Sequence, residues 1–449
     1  MIIEFTVGNY RSIAEPQTLS MVAADIASEN DNGVIDAGDM KLLRVAAIYG
    51  ANASGKSNLW LALKVFQNFV FHSDMYHQLG ESLPAQPFLL NSGYEDKPSF
   101  FELVFLLHGK IYRYGFEISK KQVESEWLFI KNSSRETRYF TREGQSVDVN
   151  SRVFSEAKDI VKRTREDALF LSVVAQWNGK IAEVIRGYIY RMHTLTGLNM
   201  RASATASMLN SDLGKKTLAA FLGKVDVGFN EVVVEESQAD QDKTIRSDVK
   251  TVHPVYDNHG NVVGTRRLDL YAQASKGTLK LFSIAGRLVT GLEHGDIFSV
   301  DELDAQFHPL MTRAIINLFN SPETNPNNAQ LIFNTHDTNL LKPDLLRRDQ
   351  IWFTEKDRFG ATHLYSLAEF RQEDGTLPRK DADFEEHYIQ GRYGAIPYLG
   401  DFSDLITPKV PEQKETKPKT TASPKKAAKS KTVKPAAKKT ARKKAVKNG

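Results

Sequence analysis

The chain contains no cysteine, which excludes a disulfide framework, thiolate metal sites and a cysteine nucleophile and fits a reducing compartment. It has no uncharged apolar run of about 18 residues, so membrane insertion is not expected. Its opening, "MIIEFTVGNYRSIAEPQTLS", has no basic segment leading into an apolar one, as a secretory signal would. A cytoplasmic protein is the expectation. Sustained heptads and internal repeats are missing too, which argues against long coiled-coil arms.

Charge is present in abundance, but unevenly. From Lys409 to Gly449 there are 15 Lys and Arg against 2 Glu, a balance of +13, whereas residues 1–408 hold 44 basic and 53 acidic residues. The tail is Lys, Ala, Thr and Pro with no aromatic residue, a composition that cannot bury enough apolar surface to offset its ordering entropy. Residues 401–449 therefore read as a linker and a disordered basic tail. Residues 409–449 are either a polycation for non-specific nucleic-acid contact or a solvating extension.

The 449 residues allow one large domain or two ordinary ones. Chemistry enters at "VAAIYGANASGKSNLW", residues 45 to 60. Gly50, Gly55, Lys56 and Ser57 satisfy G-x-x-x-x-G-K-[ST], after a strand-like run and before a helical one. In such a loop the backbone from Gly50 through Asn52, Ala53, Ser54 and Gly55 to Asn58 surrounds nucleotide phosphates. Lys56 reaches the β and γ phosphates, and the Ser57 hydroxyl ligates magnesium. ATP and Mg2+ are the expected cofactors.

A nucleotide engine also needs acid on a neighbouring strand. "GDIFSVDELDAQFHP" supplies a buried-strand pattern ending in Asp301 and Glu302. Asp301 suits the magnesium shell and Glu302 suits polarisation of the attacking water. The next strand, "AQLIFNTHD", ends in His336, which could reach a γ-phosphate. Further upstream, "YAQASKGTLKLFSIAGRLV" puts Ser275, Gly277 and Thr278 ahead of a helical apolar pattern. That is a second anion site or a simple N-cap.

In this order the "GANASGKSN" loop, the "SKGT" signature, "FSVDELD" and "NTHD" resemble ABC-type ATPases of the SMC, RecF and OLD branch, as do Asn58 and the N-terminal "FTVGNYRSI". "PSFFELVFLLHGKIYRYGFEI", "DALFLSVVAQWN", "DELDAQFHP" and "YIQGRYGAIP" are similar to the AAA-named, ABC-like ATPases of bacterial anti-phage and abortive-infection systems. The resemblance implies an α/β P-loop head over residues 1–400, with a mixed α/β insertion at 58–274. It also implies nucleotide bound between two heads of at least a homodimer, with Ser275, Gly277 and Thr278 acting in trans. The implied role is an ATP-hydrolysing switch or sensor that controls an effector encoded nearby; a RecF/SMC-like repair or chromosome ATPase is the alternative.

Two departures accompany the likeness. Ala53 stands where many relatives have glycine, and Lys276 and Thr278 replace a transporter's glycine and glutamine. Gln86 and Gln176 are both conceivable as the glutamine that senses the nucleotide. Tyr112, Tyr114 and Phe116 are expected in the core rather than stacked on bases, within a hairpin turning at Gly109; a second hairpin is expected around "DNHGN".

Overall fold

The computed structural model describes residues 1–397 apart from 27–30, 75–81, 133–134, 198–202, 225–230, 239–244, 372–377 and 380–381. The chain divides into two units, Met1–Pro397 and Tyr398–Gly449. The second, with the basic tail, lies outside the described residues.

Two sheets organise the first unit. Six strands form one in the order Met192–Thr196, Ile297–Asp301, Gln330–Asn334, Val45–Tyr49, Ile351–Lys356 and Thr362–Ser366. All neighbours are parallel except the last pair. "VAAIY" and "QLIFN" are buried at every position, and "IFSVD" at all but its last. A parallel strand covered on both faces produces that near-continuous apolar run. Because the strands run the same way, the residues after Tyr49, Asp301, Asn334 and Thr196 gather at one carboxyl edge, where α/β sheets hold ligands.

The other sheet is antiparallel and has seven strands. Its N-terminal strand Ile2–Gly8 pairs with Gln17–Ser20 on one side and with Ser99–Leu107 on the other. Ser99–Leu107 then pairs with Lys110–Ile118 through the turn at His108 and Gly109, both at positive φ. Burial alternates strictly along Ser99–Leu107, as a pleated strand with one face on a core requires. Residues before and after the phosphate loop therefore share one sheet. The expected second hairpin is also found, with Ile245–Tyr256 and Val262–Asp269 pairing antiparallel.

The helix Lys56–His72 is the layer between the two sheets. Its apolar residues Leu59, Leu63, Phe66, Phe69 and Val70 recur at helical spacing and are buried. Phe66 stacks on Phe116 at 5.4 Å and meets Phe5 edge-on at 5.9 Å, while Trp60 Nε1 donates to the Ser299 carbonyl at 3.1 Å. Tyr112, Tyr114 and Phe116 are buried in this core, as expected. On the far side of the parallel sheet, Ile284 and Leu288 of helix Lys276–His294 and Ile315, Ile316 and Phe319 of helix Pro309–Asn320 form a second core. The helix Lys276–His294 starts at the N-cap Ser275 and stops at Gly295, whose φ of 68° is the left-handed end that glycine adopts most easily. No helix among the described residues is long and apolar enough to cross a membrane.

Candidate nucleotide site

The phosphate loop is shaped by close backbone approach. Gly50 and Gly55 have φ of 154° and 117°; a Cβ on them would lie 2.5 Å from the Thr354 carbonyl and 2.2 Å from Thr362 Oγ1. Neither position has room for a side chain. Ala53, at φ 64°, takes a left-handed conformation that costs a non-glycine residue about 1–2 kcal/mol, so the glycine of many relatives suits the same backbone at less cost.

Hydroxyls fasten the loop to its surroundings. Ser54 Oγ lies 2.6 Å from Thr354 Oγ1, and Thr362 Oγ1 donates to the Ser54 carbonyl at 2.8 Å. Thr362 also meets Ser12 at 2.8 Å, which accepts from Asn58 Nδ2 at 2.7 Å. Arg11 donates to Asn58 Oδ1 at 3.2 Å. Asn58 thus links the loop helix to the N-terminal "NYRSI" segment, a contact that sequence reading missed although it had marked both pieces. Asn52 and Ala53 are exposed at the loop's tip.

Lys56 is buried and donates to the Gly50 and Ala51 carbonyls at 2.7 and 3.1 Å. Burial lowers its pKa to about 8 against the opposing pull of Asp301, Glu302 and Asp304, a shift typical of a cation taken from water. Ser57 Oγ donates to Asp301 Oδ1 at 3.1 Å, and Asn334 Nδ2 donates to the same oxygen at 2.6 Å. Asn334 was read only as part of the strand before His336, but it orients the carboxylate. The next residue, Glu302, has φ 56°. Its carbonyl is so close to Gly197 that a Cβ there would lie 1.9 Å away, and Gly197 N–H donates to the Asp301 carbonyl at 2.7 Å.

His336 follows the buried Thr335 at the tip of its strand. Partial burial and the Lys56 ammonium lower its basicity, while Asp304, Glu302 and Asp301 oppose them; the imidazole belongs to the same electrostatic cluster. Asp304 was not singled out from sequence, yet its carboxylate acts on Lys56, Lys280 and His336, and its buried Oδ1 has no hydrogen-bond partner.

The donor set fits a magnesium-bound nucleotide. The loop helix has no side-chain cap at Gly55, leaving first-turn N–H groups for an anion, with a lysine beside them and two hard oxygen ligands, Ser57 and Asp301, in contact. No group of three or more His, Asp or Glu side chains that could hold a metal ion is found among the described residues.

The structure does not place the signature residues in this hydrogen-bonded cluster. Ser275 is exposed, accepts from Thr278 N–H at 3.1 Å and meets its hydroxyl at 2.8 Å, while a Cβ at Gly277 would lie 3.0 Å from the Gln306 carbonyl. Of the two glutamines, Gln86 is the nearer to the loop, its carbonyl accepting from Arg11 N–H at 2.6 Å. Gln176 borders a cleft with Asp74, Arg163 and Trp177. Asp74 sits just past the far end of the 17-residue loop helix, about 25 Å from Lys56 at 1.5 Å per residue.

A family described as "AAA domain, putative AbiEii toxin, Type IV TA system" matches residues 45–342, a span that runs from the phosphate-loop strand past His336. The chain belongs to this AAA family. No curated protein matches the chain. Among solved structures, the AAA chain is similar to the SMC head domain from Thermotoga maritima, with 15% identity, a TM-score of 0.38, and 81% of this chain and 98% of that one covered. It is also similar to the Smc head domain with a coiled coil and joint derived from Pyrococcus yayanosii, with 10% identity, a TM-score of 0.40, and 82% and 97% covered.

Proposed function

We propose that the chain is an ATP-binding and hydrolysing switch of a bacterial anti-phage defence system that controls an effector carried on another polypeptide. The observation that carries the hydrolytic half is the contact of Ser57 with Asp301, with Lys56 and Glu302 beside it at one sheet edge. Bound ATP with magnesium would supply the γ-phosphoryl group and a metal-held oxygen frame. Lys56 then exchanges the Gly50 and Ala51 carbonyls for phosphate oxygens. Asp301, steadied by Asn334, and Ser57 would hold the metal. Glu302 accepts the proton of the attacking water, and His336, held less basic than a free imidazole, donates a hydrogen bond to the γ-phosphate.

The head spans residues 1–400 with the insertion at 58–274. Its exposed Ser275, with Gly277 and Thr278, completes the site of a second copy, so ATP closes a homodimer and hydrolysis opens it. A few kcal/mol of differential affinity lets a partner read which state is present. The family description, "AAA domain, putative AbiEii toxin, Type IV TA system", supports the defence side. Expression in a bacterial host tests it: the chain with its neighbouring gene should protect against phage, and Lys56→Ala should remove protection. Full protection by the chain alone, or unchanged protection with Lys56→Ala, defeats the reading.

The +13 tail favours a second reading, a RecF/SMC-like ATPase brought to DNA. Deleting residues 409–449 should then flatten the salt dependence of duplex binding; an unchanged slope reduces the tail to a solvating extension.

A further inference from the structure

A buried lysine outside the phosphate loop links the two halves of the proposed site. Lys280 stands five residues after Ser275 on helix Lys276–His294 and is 4% exposed. Its Nζ donates to the Leu303 carbonyl at 2.8 Å and to the Ala305 carbonyl, with the Phe307 ring 4.0 Å beneath it. These acceptors belong to the segment that begins at Glu302 and ends at Phe307. Its backbone is unusual at both Glu302 and Gln306, with φ 56° and 65°, conformations that a non-glycine residue keeps only when its surroundings hold them. Leu303 N–H donates to the Asn334 carbonyl at 3.1 Å, and Ala305 N–H to the Glu302 carbonyl at 3.1 Å. Lys280 supplies the grip on the carbonyl side.

Filling space does not explain a lysine here. Burial lowers its pKa to about 8, with Asp304 and then Glu302 opposing the shift, so the ammonium is held at a desolvation cost that an apolar residue of the same length would not incur. In return, two inward carbonyls are satisfied by one donor group that reaches across from another element.

We propose that Lys280 is a positioning residue for hydrolysis: it ties the helix that starts at the signature to the segment that aims Glu302, so a displacement at Ser275 is felt at the carboxylate. This rests on the ATPase reading above. Contact of a second copy with the signature end then adjusts the base of the first copy's own site, through one ammonium and two carbonyls.

The test is steady-state ATP hydrolysis by the full chain and its Lys280 and Glu302 variants. Lys280→Met keeps the stem over Phe307 and removes the donors. It should lower kcat about 10- to 100-fold, the scale of a misaligned catalytic group, with KM and nucleotide binding held within about threefold. Lys280→Arg, which restores charge and donors, should recover most of kcat. Combined with Glu302→Gln, Lys280→Met should add almost no further loss, because it acts through Glu302. Should the methionine variant fail to fold, Lys280→Gln is read in the same way. Parental kcat in the Met or Gln variant, a raised KM at parental kcat, or losses that multiply fully in the double variant would overturn the proposal. A parent that neither binds nor hydrolyses ATP would instead overturn the ATPase reading and take this one with it; an active parent with an unaffected Lys280→Met sinks Lys280 alone.

Discussion

The carboxyl edge of the parallel sheet and the N-terminal end of helix Lys276–His294 carry the two sets of proposed nucleotide contacts, and they are built in opposite ways. At the sheet edge the Asp301 carboxylate and the loop are held by other elements: Ser57 and Asn334 converge on Asp301, and the hydroxyls of Ser12, Thr354 and Thr362 brace the loop. At the signature end Ser275 and Thr278 bond each other in the open. A site held from several directions is preorganised for charge, whereas hydroxyls that only cap their own helix lie open to something brought to them. The proposed division into a half held within one chain and a half offered to a second copy is motivated by that contrast.

The largest effect that can break the contrast is loss of turnover. Lys56→Ala and Ser275→Arg should each lower ATP hydrolysis by about 100-fold or more, on the scale of lost transition-state contacts. A mixed dimer of the two should recover part of it, since one site then has an intact loop facing an intact signature. No recovery in demonstrated mixed dimers would argue against the composite site, or for two sites that must fire together.

Two glycines sharpen the comparison on a smaller scale. Gly197→Ala forces a Cβ to within 1.9 Å of the Glu302 backbone carbonyl, while Gly277→Ala meets the Gln306 carbonyl at 3.0 Å. The first should cost about 1–3 kcal/mol, as overpacking does, and lower the thermal midpoint by several degrees; the second should cost clearly less. Equal midpoints for the two variants would mean that the sheet edge is no more tightly built than the signature end.

The smallest expected effect concerns pH. Lys56 has its pKa lowered to about 8 from 10.5, so the unfolded chain binds more protons between those values and stability rises with pH there. Relative to Lys56→Met, the parent should therefore gain stability as pH rises from about 8 toward 10.5, and show no such gain from pH 6 to 7.5. Parallel melting curves across the whole range would contradict a buried, cationic Lys56.

The parts legible in the sequence were those whose determinants are local. Strand, loop and helix around Gly50–Ser57 are contiguous, and the run ending at Asp301 and Glu302 has, apart from Ser299, the apolar pattern of a buried parallel strand. Contacts made across the fold left no such trace. Ser12 meets Thr362 from 350 positions away, and Ser99–Leu107 pairs with the N-terminal strand because the chain returns past the loop helix. Nothing in the local sequence marks Lys280, and the packing of Phe307 and the carbonyls around it shows why a cation is buried there. Gln176 was a fair candidate on residue type alone, and distance removes it from the loop.

The central claim is that Glu302, held at the sheet edge beside Asp301, is the base for ATP hydrolysis. Nucleotide binding and single-turnover hydrolysis measured on the full chain and on Glu302→Gln test it most directly. The glutamine variant should bind ATP with magnesium as the parent does and hydrolyse it at least about 100-fold more slowly, in line with the contribution of a positioned general base; hydrolysis at the parental rate would contradict the assignment.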